Sequence, residues 1–133
     1  MKLSILDQSV AIANKCQDQV INDTLNLSIM AEEFGYSRFW ISEHHNHPTI
    51  IGTAPEVLMA AIAAKTNKIR IGSAGIMLPH YSSFKVAEQF RVLNSLAPNR
   101  IDLGLGRAPG SDGRTALALN SNNREFSENF PSH

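Results

Sequence analysis

The sequence predicts an α/β protein built from parallel strand–helix units. Three observations carry that expectation. Short apolar strands start near residues 3, 38, 69 and 101, so they recur 35, 31 and 32 residues apart, the length of one β–α–β unit. The connections are too long for hairpins and carry helical periodicity, which calls for a parallel sheet with right-handed crossovers. The chain has 133 residues, 43% of them hydrophobic and 18% charged, as expected of a single globular domain with a real core. Four such units permit either an open doubly wound sheet or the first half of an eight-stranded barrel, which needs ~250 residues when whole.

Leu3, Ile5 and Leu6 form the first strand, which ends at Asp7-Gln8. A helix follows, with Asn14 and Gln17 as a capping pair. Ile21, Leu25 and Ile29 form its apolar stripe, widened by Leu27, Met30, Ala31 and Phe34. Gly35 stands where a left-handed stop is wanted. Arg38 to Ser42 is aromatic and β-branched, a second strand, and runs into the polar loop Glu43 to Pro48. Thr53-Ala-Pro-Glu56 reads as a helix start with Thr53 as cap and Pro55 in the first turn. That helix runs to about Lys65, and its alanines call for close neighbours. Ile69 to Ala74 is the third strand. Ser82 or Ser83 caps a third helix, on which Val86, Phe90, Leu93 and Ala97 recur, and Pro98 ends it. Ile101 to Gly106 is the fourth strand, and a fourth helix runs from Ser111 or Asp112 through Leu119. The tail from Ser121 is polar until Phe126 and Phe130. Met30 and Met59 read as core.

Twelve Lys and Arg balance twelve Asp and Glu, which argues against a nucleic-acid or anionic-membrane surface as the main role. The imbalance is positional: residues 1–64 carry a net −4 and residues 65–133 a net +4. One cysteine, Cys16, excludes an internal disulfide and a cysteine-rich zinc site. The longest apolar run, Val57 to Ala64, is far short of the ~20 residues of a membrane helix. The N-terminus lacks a secretory pattern, so the expected location is the cytoplasm.

In either parallel architecture ligands sit at the carboxyl ends of the strands. Those ends are Asp7-Gln8, Glu43-His44-His45, Ser73-Ala74-Gly75 and Gly106-Arg107. The histidines at 44, 45 and 47 admit three readings. A metal site is least favoured, because no Asp, Glu or Cys stands at motif spacing. A solvated loop without a role is the second. A proton-handling histidine beside Glu43 is favoured, since imidazole titrates near neutrality. Arg107, just past a strand end, offers a planar fork to a phosphate or a heterocycle carbonyl; otherwise it is a surface ion pair. Ser73-Ala74-Gly75 permits a flat ring to lie against backbone, or is a simple bulge. The glycines from 104 to 110 do not make a dinucleotide fingerprint, because Pro109 stands where glycine is needed.

Ser37-Arg-Phe-Trp-Ile-Ser-Glu-His-His-Asn46, Ile69 to Pro79 and Arg100 to Gly110, in this order, resemble the bacterial luciferase-like flavin monooxygenases. The resemblance runs from Met1 to about Leu119. It implies that residues 1–133 are the N-terminal half of a TIM-type (β/α)8 barrel, with the C-terminal half absent. It further implies a dimer that uses FMN, supplied reduced by a flavin reductase, and O₂ as co-substrate to oxygenate a small organic molecule. His44 matches the family's catalytic histidine. Glu43, Ala74, Gly75 and Arg107 match cofactor-binding positions, with a non-prolyl cis peptide at Ala74–Gly75. The helices starting near Pro55 and Ser83 match those of the family's dimer interface. Two alternatives stay open: a deazaflavin-dependent oxidoreductase on the same barrel, and a non-catalytic flavin-binding or interaction half barrel. A half barrel would leave its first and fourth strands as bare edges, so the chain is expected to belong to a longer product or to associate.

Overall fold

A computed structural model describes residues 1–120. The expected polar tail with Phe126 and Phe130 lies outside the described residues. The chain order is β1 (Ser4–Asp7), α1 (Gln17–Glu33), β2 (Arg38–Ile41), α2 (Pro55–Lys65), β3 (Arg70–Ser73), β4 (Ile76–Met77), a 3-10 turn (Leu78–His80), α3 (Ser83–Leu96), β5 (Ile101–Asp102), β6 (Leu105–Gly106) and α4 (Gly113–Leu119). Strands β1, β2, β3 and β5 form one parallel sheet in sequence order. Sequence-order parallel strands separated by helices are the arrangement of about half a TIM-type barrel.

The expected fourth strand is two strands. Ile101–Asp102 pairs with Ile71–Gly72, whereas Leu105–Gly106 pairs with Ile76–Met77 in a separate parallel ladder. Gly104 is the cause. Its N–H donates to Ser73 Oγ at 3.0 Å, and its carbonyl accepts from the same hydroxyl at 2.9 Å. A Cβ on Gly104 would come within 2.2 Å of the Ser73 carbonyl oxygen, so only glycine permits this approach.

Period-two alternation sends Phe39, Ile41 and Ile71 to one face of the sheet, where all three are fully buried. They pack on Met59 and Ile62 of α2 and on Val86, Phe90 and Leu93 of α3. The opposite face carries Leu6, Trp40 and Gly72 in register, and Leu6 is 57% exposed. Among the described residues β1 and β5 are the sheet edges.

Several local expectations change. Helix α1 turns Val20, Thr24, Ser28 and Ala31 fully inward. The expected stripe of Ile21, Leu25 and Ile29 flanks that line and is only half-buried. Small residues let the helix lie close to its neighbours, which leaves Met30 and Phe34 exposed rather than in the core. Asn14 adopts a left-handed conformation (φ 66°) and is a turn residue. The cap is Cys16, whose N–H donates to the Gln19 side chain. Gly35 is left-handed (φ 78°) as expected of a helix stop. Helix α2 is capped by Ala54 rather than Thr53, because the Ala54 carbonyl takes both the Val57 and Leu58 N–H groups. Ser82 and Asp112 cap α3 and α4 with their side chains.

At the amino ends of the strands, Asp102 holds two guanidinium groups, Arg38 Nε at 3.0 Å and Arg70 through Nε and Nη2. The Arg70 bonds keep the Asp102 carboxyl below the usual carboxylate range against burial, and Arg38 adds to this. Glu32 accepts from three successive N–H groups, Asn67, Lys68 and Ile69, which fastens the end of α1 to the start of β3.

Candidate active site

The carboxyl ends of the strands are bound together by short backbone links. Ser42 N–H donates to the Asp7 carbonyl, Ala74 N–H to Ile41, Ile76 N–H to Gly104 and His45 N–H to Gly110. Thus the segments carrying Gln8, residues 43–45, Ala74–Gly75 and residues 106–110 meet at one end of the sheet, the ligand side of a parallel barrel.

His44 follows β2 and is half-buried. Its Nε2 lies 3.5 Å from the Gln8 side-chain nitrogen. Since an amide nitrogen only donates, this contact suits an imidazole that carries its proton on Nδ1. The His47 ring is 6.1 Å away and tilted.

The Ala74–Gly75 peptide is cis. Ala74 is exposed between the buried residues Ser73 and Gly75. A Cβ on Gly75 would meet Gly104 O at 2.9 Å, so its seat is the backbone of the neighbouring segment. The result is a small open floor with one methyl group on it. Arg107 is exposed just beyond β6, and no hydrogen bond or ion pair joins its guanidinium to a described residue.

Glu43 stands just after β2, beside His44. It is fully buried, and its carboxylate is taken up by protein donors. Oε2 accepts Met77 N–H at 2.8 Å. Oε1 accepts the Tyr81 hydroxyl and His45 Nε2, each at 2.6 Å. Burial, and then the bond to this carboxylate, push the Tyr81 phenol far above its ordinary value, so it stays a donor. The His45 ring meets His80 edge-on at 5.4 Å, and His80 Nε2 donates to the Pro109 carbonyl at 2.6 Å. Sequence reasoning missed Tyr81, His80 and Gln8. Gln8 was within reach as a strand-end residue. The His80-Tyr81 pair follows the third strand end directly, and nothing in its spacing pointed to Glu43.

Ala74–Gly75, the half-buried His44 and the exposed Arg107 are carried on segments that meet at this end of the sheet. Ser42 Oγ, at the end of β2, is the one buried side-chain polar atom among the described residues without a partner. Among the described residues no group of three or more His, Cys, Asp or Glu is placed to hold a metal.

A family model for luciferase-like monooxygenases matches residues 1–127. The chain belongs to this family. It is 56% identical over 110 residues to N-acetyl-S-alkylcysteine monooxygenase of Bacillus subtilis, which covers 83% of this chain and 33% of that protein. The crystal structure of apo-MsnO8 superimposes with a TM-score of 0.86 at 42% identity, covering 89% of this chain and 36% of that one. The oxygenating constituent of 3,6-diketocamphane monooxygenase from Pseudomonas putida, solved with FMN, superimposes with a TM-score of 0.82 at 21% identity, covering 96% and 36%. The chain thus spans about a third of the length of these relatives. No helix among the described residues is long and apolar enough to cross a membrane.

Proposed function

We propose that residues 1–133 form the N-terminal half of a (β/α)8 flavin-dependent monooxygenase, which uses reduced FMN and O₂ to oxygenate a small organic substrate. The observation that supports this best is the meeting, at the carboxyl ends of parallel strands, of the segments that carry the exposed Ala74 methyl, the half-buried His44 imidazole and the Arg107 guanidinium, which has no partner among the described residues. Reduced flavin, when bound, supplies the electrons with which O₂ is activated. Ala74 and Gly75 would bear one face of the ring system. Arg107 would meet its electron-rich edge or its phosphate. His44 would take up a proton at Nε2, the nitrogen that faces Gln8, and return it from there. Glu43 supports these groups from behind.

The same reading includes a homodimer. Helices α2 and α3 line an apolar groove of about 510 Å³ with Val57, Ala60, Val92 and Leu96, and Val57, Val92 and Leu96 are each about 60% exposed. A flavin reductase is the proposed source of reduced FMN, and the cytoplasm is the proposed location. The rival reading is a non-catalytic flavin-binding role for these residues alone.

Titration of the chain with FMN, reduced FMN and a deazaflavin tests the proposal. Saturable binding of reduced FMN, weakened about tenfold or more in Arg107→Ala, is the expected result, a tenfold change being 1.4 kcal/mol. Preference for the deazaflavin would overturn the monooxygenase reading, and binding without turnover would favour the non-catalytic one. In a catalytically competent assembly His44→Ala is expected to cut turnover by roughly 10²–10⁴ with flavin affinity retained.

A further inference from the structure

We infer that Tyr81 is a positioning residue for the mouth: through the buried Glu43 carboxylate, its hydroxyl holds the segment carrying His44 against the segment carrying Ala74 and Gly75. Three donors meet Glu43, and they are not equivalent. His45 is two residues away on the same loop, so its bond closes only that loop. The bonds from Met77 N–H and the Tyr81 hydroxyl span 34 and 38 residues. These two tie the end of β2 to the corner that follows the Ala74–Gly75 peptide. Met77 contributes only backbone, so among the described residues Tyr81 is the side chain from that corner that bonds to Glu43.

The connection extends to the third segment of the mouth. The loop that Glu43 and His45 form gives its His45 N–H to the Gly110 carbonyl, and the His45 ring lies against His80, which donates to Pro109. Glu43 is sealed from water, so no solvent molecule replaces a lost donor cheaply. Loss of the hydroxyl therefore rearranges the loop instead of being absorbed. The phenol ring itself packs against the hydrophobic core, so Tyr81→Phe keeps the packing and removes the donor alone. The functional meaning of the inference rests on the proposed flavin site, whereas its geometry does not.

The test is Tyr81→Phe in the full chain, read by ¹H–¹⁵N NMR without ligand. The variant is expected to unfold cooperatively with a slightly lower Tm. The signals of His44, Ala74 and Gly75, none of which bonds to Tyr81, are expected to move together with that of Met77. A folded variant whose shifts are confined to the Tyr81 ring's neighbours and to Glu43 and His45 would overturn the inference. If the variant does not fold, the wild-type protein decides. A slowly exchanging Tyr81 hydroxyl proton with a cross-peak to the His45 ring supports the positioning role, and its absence overturns it. FMN titration adds an independent arm, in which Tyr81→Phe weakens affinity about tenfold because the segments it aligns carry the proposed flavin contacts. Wild-type chain that binds no flavin at all would remove the flavin reading, and the NMR result would still stand for or against the positioning role.

Discussion

At the carboxyl ends of the strands the fastening carboxylate, Glu43, is sealed from water and bonded to a phenol, an imidazole and a backbone N–H. At the amino ends Asp102 stands between Arg38 and Arg70, with about a fifth of its side chain exposed. Both carboxylates join strands distant in sequence, yet they obey different physics. A partly exposed ion cluster is partly screened by salt and gains modest net free energy. A sealed carboxylate cannot be re-solvated, so every donor it holds becomes necessary. The mouth is therefore the more rigidly specified end, as a site that must present several groups together requires.

Substitutions at the two ends should separate these cases. The largest effect is expected for Glu43→Ala, which strands three donors and should cost about 3 kcal/mol or more, measured as a drop in the urea midpoint at constant slope. A cost near zero would break the contrast. Next comes Gly104→Ala, where the new methyl meets the Ser73 carbonyl at 2.2 Å. Backbone must move there, at about 1–3 kcal/mol, and the amide of Ile76, which bonds to Gly104 O, should lose exchange protection.

The smallest effect is expected for Asp102→Asn, about 1 kcal/mol at low salt. Its sign with pH follows from the depressed carboxyl, which the Arg70 bonds cause. The stabilisation is complete above the ordinary aspartate value of ~4 and is lost as pH falls through the lower folded value. Wild type and Asp102→Asn should therefore converge in stability on acidification, and also in molar salt, whereas the Glu43→Ala deficit should persist in salt.

The strand–helix alternation was legible because spacing and apolar runs are properties of the chain itself. Val86, Phe90, Leu93 and Ala97 recur at helical spacing and are all buried. The split of the fourth strand was not legible, because it depends on Ser73 meeting Gly104 across 31 residues. On α1 the pattern misled: Thr24 and Ser28 face inward since their hydroxyls are satisfied there, by Asp7 of β1 and by the Leu25 carbonyl, and small size outweighs polarity. At the mouth, the residues named from family resemblance fall on segments that meet. What sequence did not reveal is that Glu43 is buried, held by donors 34 and 38 residues away, while Ala74 and Arg107 are exposed.

Trp40 is the only tryptophan in the chain. It lies half-buried on the sheet face away from the helices, with its ring over Gly72, where a Cβ would come within 2.3 Å of it. Its emission is therefore a built-in reporter of whatever covers that face. A blue shift would register the arrival of further strands, and quenching would register a flavin, with no label attached and no other indole to confuse the signal.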